Sequence, residues 1–585
     1  MSRAVQPSLT SYKTLFLTYL GPQWRKATLT AALIFTGIGL QLINPQILRY
    51  FIDAFTSGNS HKNLALAGAL FVGIALAIQG VTVLATYFSE NVAWTATNTL
   101  RSDLVAHCLT LDMAFHKAHT PGELIERIDS DVDTLSNFFS QAVIHLFGNA
   151  LLILGVLILF FLADWRIGLV MAAFALLALT ILLFLRKYAL RHFTAYFQQN
   201  AEFYSFLGEQ LAGTEDMRAN GATGYVMWRF YHLLRRRLPP SRNAIMSIYA
   251  MVVTTILVFA LGNAIAFVLG AYLWSTHVIT LGTVYIIFYY TNLMIMPMEQ
   301  IRGQLQDLQG AGAGLQRVQE LLHTQPAIKD GIGTPLSAGA LEVDFDDVTF
   351  GYQAAEAILH QVDFHVQAGT ILGVLGRTGS GKTTLARLLL RLYDPQQGQV
   401  RVGGVPIREL HLHDLRHSVG MVTQDVQLFH ATVRDNLTFF NSAITDEHIV
   451  EVLTDLGLST WYRSLPHGLD TELGSDGEGL SAGEAQLLAF TRVFLANPAL
   501  VILDEATSRL DPVTERLIER AMDKLFMGRT GIIIAHRLST VQRADDILVL
   551  QDGCIQEYGP RTTLASDDSS RFYHLLQTGL EEIPT

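Results

Sequence analysis

The chain has 585 residues and a formal net charge of −11; half of it is hydrophobic and only 16% is charged. That length exceeds one ordinary core, so two or more domains are expected, and a charged fraction well below the roughly 25% of a soluble domain points to a membrane-embedded part joined to a soluble part. The acidic balance offers no basic stripe to neutralise phosphates and argues against a nucleic-acid partner, while two distant cysteines, Cys108 and Cys554, read as free thiols in a reducing compartment.

The polar N-terminus, MSRAVQPSLTSYK, leads into an apolar run without a cleavage-type site, so no signal peptide is expected. Between about residues 27 and 300 six apolar runs follow one another, from ATLTAALIFTGIGLQLINPQI to LGTVYIIFYYTNLMIMP. Each is long enough for the ~20 residues that a helix needs to span a bilayer core. The third and fourth are separated only by Ala163-Asp164-Trp165-Arg166. Lys and Arg gather in two loops: Arg101, Lys117 and Arg127 between spans two and three, and a set including Arg186, Lys187, Arg191 and Arg235 to Arg237 between spans four and five. The positive-inside rule then puts both loops, the N-terminus and the C-terminal half on the cytoplasmic side. NTLRSDLVAHCLTLDM and QQNAEFYSFLGEQLAG keep helical spacing, so spans two to five are expected to run on as helices beyond the membrane. Near the loop tips, HTPGELIERIDSDVDTL and TEDMRANGATGYVMWRF carry turn signals at Pro121-Gly122 and Gly221. By pattern alone these tips read equally well as contact points for another domain or as solvated turns.

After residue 323 the grammar changes. TQPAIKDGIGTPLSAGA, residues 324–340, reads as a linker between a membrane domain at 1–323 and a soluble domain at 341–585. Short β-branched runs such as LEVDFDDVTF, TILGVLG, ALVILD and TGIIIAH alternate with helical stretches, the pattern of an α/β domain with a mostly parallel sheet. The fold class expected is therefore an all-α six-helix membrane domain followed by an α/β domain.

GRTGSGKT, Gly376 to Thr383, matches the P-loop pattern between a strand and a helix. Gly376, Gly379 and Gly381 let backbone N–H groups close around phosphates, with Arg377, Thr378 and Ser380 between them, and the helix N-terminus adds its positive dipole end. Lys382 is placed to reach the β- and γ-phosphates, the Thr383 hydroxyl to ligate Mg²⁺, and Thr384 follows in the first helical turn. ATP and Mg²⁺ are the expected ligands. Downstream, ALVILDEAT ends a buried strand in two carboxylates: Asp504 placed to hold Mg²⁺, and Glu505 to orient or deprotonate the attacking water. His536 ends a further strand on the edge where open α/β sheets bind ligands, which favours a γ-phosphate contact.

On these residues the whole chain resembles the ATP-binding cassette (ABC) transporters, specifically their exporter-type half-transporters, which carry six spans and one cassette. The resemblance implies further roles. Tyr352 in VTFGYQ matches the aromatic that stacks on adenine; Gln424 in GMVTQDVQLF matches the glutamine that touches Mg²⁺ and links cassette to membrane domain. Leu480, Ser481, Ala482, Gly483, Glu484 and Gln486 occupy the signature sequence, which completes the ATP site of a partner cassette. Ser508, Arg509, Leu510 and Asp511 occupy the loop after the catalytic Glu505, and His536 becomes the switch histidine. The inner-loop tips become coupling helices that dock on the cassettes.

The signature departs from the usual L-S-G-G-Q at Ala482 and Glu484. Ala482 adds a methyl group that a left-handed position would resist. Ser481 and Glu484 fit an S-x-x-E capping box at a helix start. A carboxylate ~7 Å from a phosphate charge would also cost about 2 kcal/mol per charge pair at an effective dielectric of ~20. The P-loop of this chain is intact, so a heterodimer with a sister half-transporter is expected ahead of a homodimer. Polar groups within the spans mark candidate cargo contacts: Gln41, Asn44, Arg49, Gln79, His145, Asn149, Asn263 and Asn292. Arg49 is expected to pair with Asp53 one turn on, and most of the others to bond between helices. The spans lack a charged cluster, which favours an amphipathic or hydrophobic cargo, with membrane lipid as surroundings. The expected function is ATP-driven export. An exporter-fold importer and a non-transporting regulatory membrane ATPase are the alternatives. Family analogy suggests a bacterial inner membrane.

Overall fold

The structure is a computed structural model and describes residues 16–56, 61–141, 146–353, 356–474, 480–504, 512–535 and 540–577. It forms two compact units, one of residues 1–109 with 121–324, the other of residues 110–120 with 325–585.

The first unit is helical. Among its described residues six helices are long and apolar enough to cross a membrane: Leu17–Thr56, Leu64–Thr110, Leu146–Ala163, Trp165–Ala212, Thr223–Ser275 and Leu281–Ile301. Within them run α1 (Trp24–Thr56), α2 (His61–Thr110) and, beyond the loop helices α3 (Met113–Ala118), α4 (Pro121–Ile125) and α5 (Asp131–Gln141), α6 (Asn149–Ala163). Then come α7 (Trp165–Ala212), α8 (Thr214–Ala219), α9 (Thr223–Ser275), α10 (Leu281–Leu293) and α11 (Ile295–His323). The helices α2, α7 and α9 have 50, 48 and 53 residues. At 1.5 Å per residue each is roughly 75 Å long, more than twice the ~30 Å hydrocarbon core. The expected extension beyond the membrane is therefore present in spans two, four and five; the third span, Leu146–Ala163, has only 18 residues. The tight turn between α6 and α7 works because Asp164 caps α7, its carboxylate accepting the Arg166 N–H at 2.8 Å. The apolar core of this unit lies where α6, α7, α9 and α10 meet, around Val156, Phe160, Met171, Phe259 and Tyr290.

The first inner-loop tip differs from its expected place. Its helix is α3, upstream of the Pro121-Gly122 signal, and Pro121 opens the next helix, where its missing N–H costs nothing. Residues 110–120 belong to the second unit by their contacts, while α8, at the other tip, stays in the first. Gly221 does turn the chain, at φ +65°.

In the second unit β1 (Val343–Phe350), β2 (Leu359–Val366), β4 (Gln397–Val402) and β5 (Val405–Pro406) form an antiparallel sheet in the order β2-β1-β4-β5. A six-stranded sheet has the order β12-β11-β3-β10-β9-β6, made of β3 (Ile371–Leu375), β6 (Val419–Val422), β9 (Leu500–Asp504), β10 (Thr530–Ile534), β11 (Asp546–Gln551) and β12 (Cys554–Pro560). Only the β11–β12 pair in it is antiparallel. The expectation of a mostly parallel sheet holds for TILGVLG, ALVILD and TGIIIAH. LEVDFDDVTF instead forms β1 of the antiparallel sheet; it buries Val343, Phe345, Val348 and Phe350, with a register shift between Phe345 and Val348, and a β-branched run by itself does not state which way a neighbour runs. The short pair β7 (Ala431–Thr432) and β8 (Glu472–Leu473) completes the strands among the described residues. The helices that bear on the site are α12 (Lys382–Leu389), α13 (Leu412–Ser418), α14 (Val433–Thr438), α15 (Asp446–Asp455), α16 (Ser459–Ser464), α17 (Ala482–Ala496) and α18 (Pro512–Phe526).

Candidate nucleotide site and signature helix

Strand β3 runs straight into the Gly376–Gly381 loop and α12. Its register neighbours are β10 and β11, and β10 in turn neighbours β9. The carboxyl ends of these parallel strands therefore share one edge. The P-loop follows β3, Asp504 ends β9 opposite Ile534, and Gln424 lies two residues past β6. This is the edge where doubly wound sheets take their ligands.

The loop has the form of an anion cradle. Gly379 and Gly381 take φ of +84° and +104°, which a side chain would strain, and a Cβ on Gly381 would lie 2.6 Å from Leu359. Ser380, Lys382 and Thr384 are buried, and the Ser380 hydroxyl oxygen has no hydrogen-bond partner. Lys382 Nζ donates to the carbonyls of Gly376 (2.7 Å) and Arg377 (3.0 Å). A buried ammonium, an orphaned buried hydroxyl and a glycine-rich loop at a helix N-terminus fit a polyphosphate. Thr383, partly buried in the first turn of α12, and buried Asp504 supply the oxygen donors that a hard divalent cation prefers. Gln424 is exposed. Glu505, Ser508 to Asp511 and His536 lie outside the described residues, as does His145.

Tyr352 follows β1 and is partly buried. Its hydroxyl accepts a hydrogen bond from Arg387 at 2.8 Å and lies 3.3 Å from Thr384 Oγ1, so it is fastened to the P-loop helix. Tyr393 and Phe350 meet its ring edge-on. Burial pushes the Tyr393 phenol up from its ordinary pKa.

The signature opens α17 with Ser481 as N-cap. The Ser481 N–H and hydroxyl both donate to Glu484 Oε2 at 2.8 Å, and the Glu484 N–H donates to Ser481 Oγ at 3.2 Å. The capping box expected from S-x-x-E is thus complete. Ala482 is the first helical residue and makes no left-handed demand, so its methyl is tolerated. Gly483 is needed for packing: a Cβ there would lie 2.2 Å from Thr514 Cγ2 of α18. Buried Gln486 donates to the Gln424 carbonyl at 3.0 Å, which joins the signature helix to the segment after β6.

Arg492, on the same helix, is a residue the motifs did not single out. Its guanidinium donates to the carbonyls of Asn436 (2.7 Å) and Gln427 (2.8 Å) and to Asn436 Oδ1 (3.1 Å), and covers the Phe439 ring. Burial pushes its pKa down to about 10, so it remains charged at neutral pH. Only the fold brings its partners together, from sequence positions 56 and 65 residues away.

In the first unit four of the described polar span residues have polar partners. Asn263 and Asn292 exchange amide hydrogen bonds at 3.1 Å, and Asn149 donates to Gln300 at 2.7 Å. Arg49 and Asp53 pair at 3.7 Å as expected. Asp53 also accepts from Thr280 Oγ1 and the Gly282 N–H, both at 2.8 Å, closing the N-terminus of α10. Gln41 lines a small cavity of about 110 Å³ with Thr82 and Asn149, Asn44 is buried with its Oδ1 unpartnered, and Gln79 is exposed.

Two family models match: the ABC transporter transmembrane region at residues 28–298 and the ABC transporter domain at residues 359–508. An uncharacterized ABC transporter ATP-binding protein, YknV of Bacillus subtilis, is 30% identical over 92% of this chain and 89% of its own. An ATP-dependent lipid A-core flippase of Alcanivorax borkumensis is 29% identical over 96% of this chain and 97% of its own. A solved bacterial Atm1-family ABC exporter with ATP bound superposes with a TM-score of 0.80 at 25% identity, covering 96% of this chain and 99% of that one. With a P-loop cassette behind six membrane-crossing helices in one chain, and relatives matching it nearly end to end, this protein belongs to the ABC transporter family as an exporter-type half-transporter.

Proposed function

We propose that the chain is the hydrolytic half of an ATP-driven exporter for an amphipathic or hydrophobic cargo, and that it works with a sister half-transporter. The observation that carries the heterodimer is the Ser481 hydroxyl, which donates its proton to the Glu484 carboxylate. A signature serine must turn that donor toward the partner's γ-phosphate. Here it would first leave a charge-assisted bond, and a second negative charge would stay beside the phosphate. The weakened site is the one built on the partner's P-loop. This chain's own P-loop, with Lys382, Thr383 and Asp504, carries no such defect and would pair with a standard signature.

In the proposed cycle the Gly376–Gly381 N–H groups and Lys382 hold the phosphates, and Tyr352 carries the adenine. Thr383, Gln424 and Asp504 would hold Mg²⁺, whose chemistry is to neutralise charge on the phosphates. Glu505 acts as base toward the attacking water and His536 contacts the γ-phosphate, with Asp511 in the loop that follows Glu505 in sequence. Cassette closure is relayed by the inner-loop helices, the spans open outward, and hydrolysis resets them. The spans' want of a charged cluster supports an amphipathic cargo, as does the lipid A-core flippase among the relatives. The orientation from Lys and Arg supports a cytoplasmic cassette, and the bacterial relatives support a bacterial inner membrane.

The test is Mg-ATP turnover and particle mass of this chain purified alone in lipid. A monomer, or a dimer with negligible turnover, is expected. A dimer with brisk turnover that disappears in Glu505→Gln would identify a homodimeric exporter and remove the sister chain from the proposal.

A further inference from the structure

The ring of Tyr352 already carries a cation. Lys117 Nζ lies 3.9 Å from its centroid, within cation–π range. Lys117 belongs to α3, the short helix that chain order places between the second and third spans. The helix is well anchored. Asp112, at its N-cap, accepts the N–H groups of Ala327 (2.6 Å) and Ile328 (3.2 Å), and Phe115 stacks on His119 at 4.3 Å. Lys117 is thus held over the ring rather than trailing in solvent.

The other contacts of Tyr352 come from the cassette core. Phe350 and Tyr393 lie edge-on with centroids 5.2 and 5.0 Å away, Arg387 and Thr384 hold the hydroxyl, and the Arg387 guanidinium also lies over the ring, at the longer distance of 5.8 Å. Phe350 is buried and Tyr393 packs on the same core, so they crowd the ring from within. A base can reach the ring only from the solvent side, and Lys117, which lies over the ring, is itself exposed. One aromatic face cannot hold an ammonium at that distance and a stacked purine at ~3.5 Å together.

Resting on the reading of Tyr352 as the adenine platform, we infer that Lys117 competes with the purine base for the outward face of Tyr352. Base occupancy in the cassette thereby sets the position of the inner-loop helix α3. The lysine leaves the ring when a base stacks and returns when it departs. Because α3 follows directly on the second span, which ends at Thr110, the exchange gives that membrane helix a signal of base occupancy distinct from the phosphate-driven closure of the cassettes.

The full-length protein in lipid nanodiscs, with EDTA to prevent turnover, is titrated calorimetrically with ATP and with inorganic tripolyphosphate. Lys117→Ala and Lys117→Met should bind ATP about two- to fivefold more tightly than wild type, the range expected for an exposed cation–π contact. Lys117→Arg, which can still cover the ring, should stay close to wild type, and tripolyphosphate affinity should not change in any of them. Unchanged or weaker ATP binding in Lys117→Ala and Lys117→Met would overturn the inference. Weaker binding of both ligands would do so too, by making Lys117 a phosphate contact. Tyr352→Ala separates the two layers: wild-type ATP affinity there would overturn the platform reading itself, whereas a loss confined to ATP supports it and leaves the lysine variants to decide the competition.

Discussion

The Ser481 N–H and hydroxyl converge on a single carboxylate oxygen, Glu484 Oε2, each at 2.8 Å. The signature helix therefore begins with its serine fully engaged inside its own chain. A substitution that would read as damage to a motif is, locally, a well-formed helix start. The same atoms face two demands, one structural and one, as proposed above, at the partner's nucleotide.

Glutamine at 484 separates those demands. Glu484→Gln keeps an acceptor for the Ser481 N–H and removes the charge, so the thermal midpoint should move by no more than about 2 °C, while ATP turnover of the chain on its own should rise several-fold, within the reach of ~2 kcal/mol of relieved repulsion. Glu484→Ala should lose up to about 1 kcal/mol of stability with the box. Steady-state turnover beside thermal melting in lipid reads both. Unaltered turnover in Glu484→Gln would show the carboxylate to be a helix cap and nothing more.

Arg492 should not tolerate lysine. Its fork reaches two backbone carbonyls and an amide oxygen in two different segments, and an ammonium cannot span them. Arg492→Lys is expected to destabilise the cassette by about 2 kcal/mol, with Arg492→Leu costing more. The measured quantity is the temperature at which half of the ATP binding is lost. Equal midpoints for Arg492→Lys and wild type would mean that the fork adds nothing over a point charge.

Asn263 and Asn292 should behave as a pair. Each single change to leucine leaves one amide without its reciprocal partner, and the double change removes both. A double-mutant cycle on thermal stability should show a coupling of about 0.6 kcal/mol, and at most about 1.7 kcal/mol. If the pair instead contacts cargo, the single variants would change cargo-stimulated turnover and leave the cycle additive.

Asp53 closes the start of α10 with both carboxylate oxygens. Asp53→Asn keeps one acceptor and should lose less stability than Asp53→Ala, which should cost about 1 kcal/mol or more. Thermal melting ranks the three proteins, and an alanine variant as stable as wild type would show the latch to be idle.

Much of this was readable in one dimension, because the physics concerned is local. Hydropathy over about twenty residues is enough to place a helix in lipid, since no water is there to satisfy an open backbone. Glycines followed by Lys382 and Thr383 after a β-branched run specify a strand, an anion cradle and a helix within one short window. Ser481 and Glu484 are three residues apart, and Arg49 and Asp53 four, so a single turn brings each pair together. LEVDFDDVTF announced a strand, but partner and direction are long-range choices, and only the antiparallel pairing of β1 with β2 and β4 settled them. Arg492 with Asn436, Asp53 with Gly282, Asn263 with Asn292 and Lys117 with Tyr352 are joined across 29 to 235 residues by packing that no window of sequence contains. The sequence by itself determined which chemistry each short segment could carry; the tertiary structure alone decided which of those segments meet, because burial and hydrogen bonding act on neighbours in space.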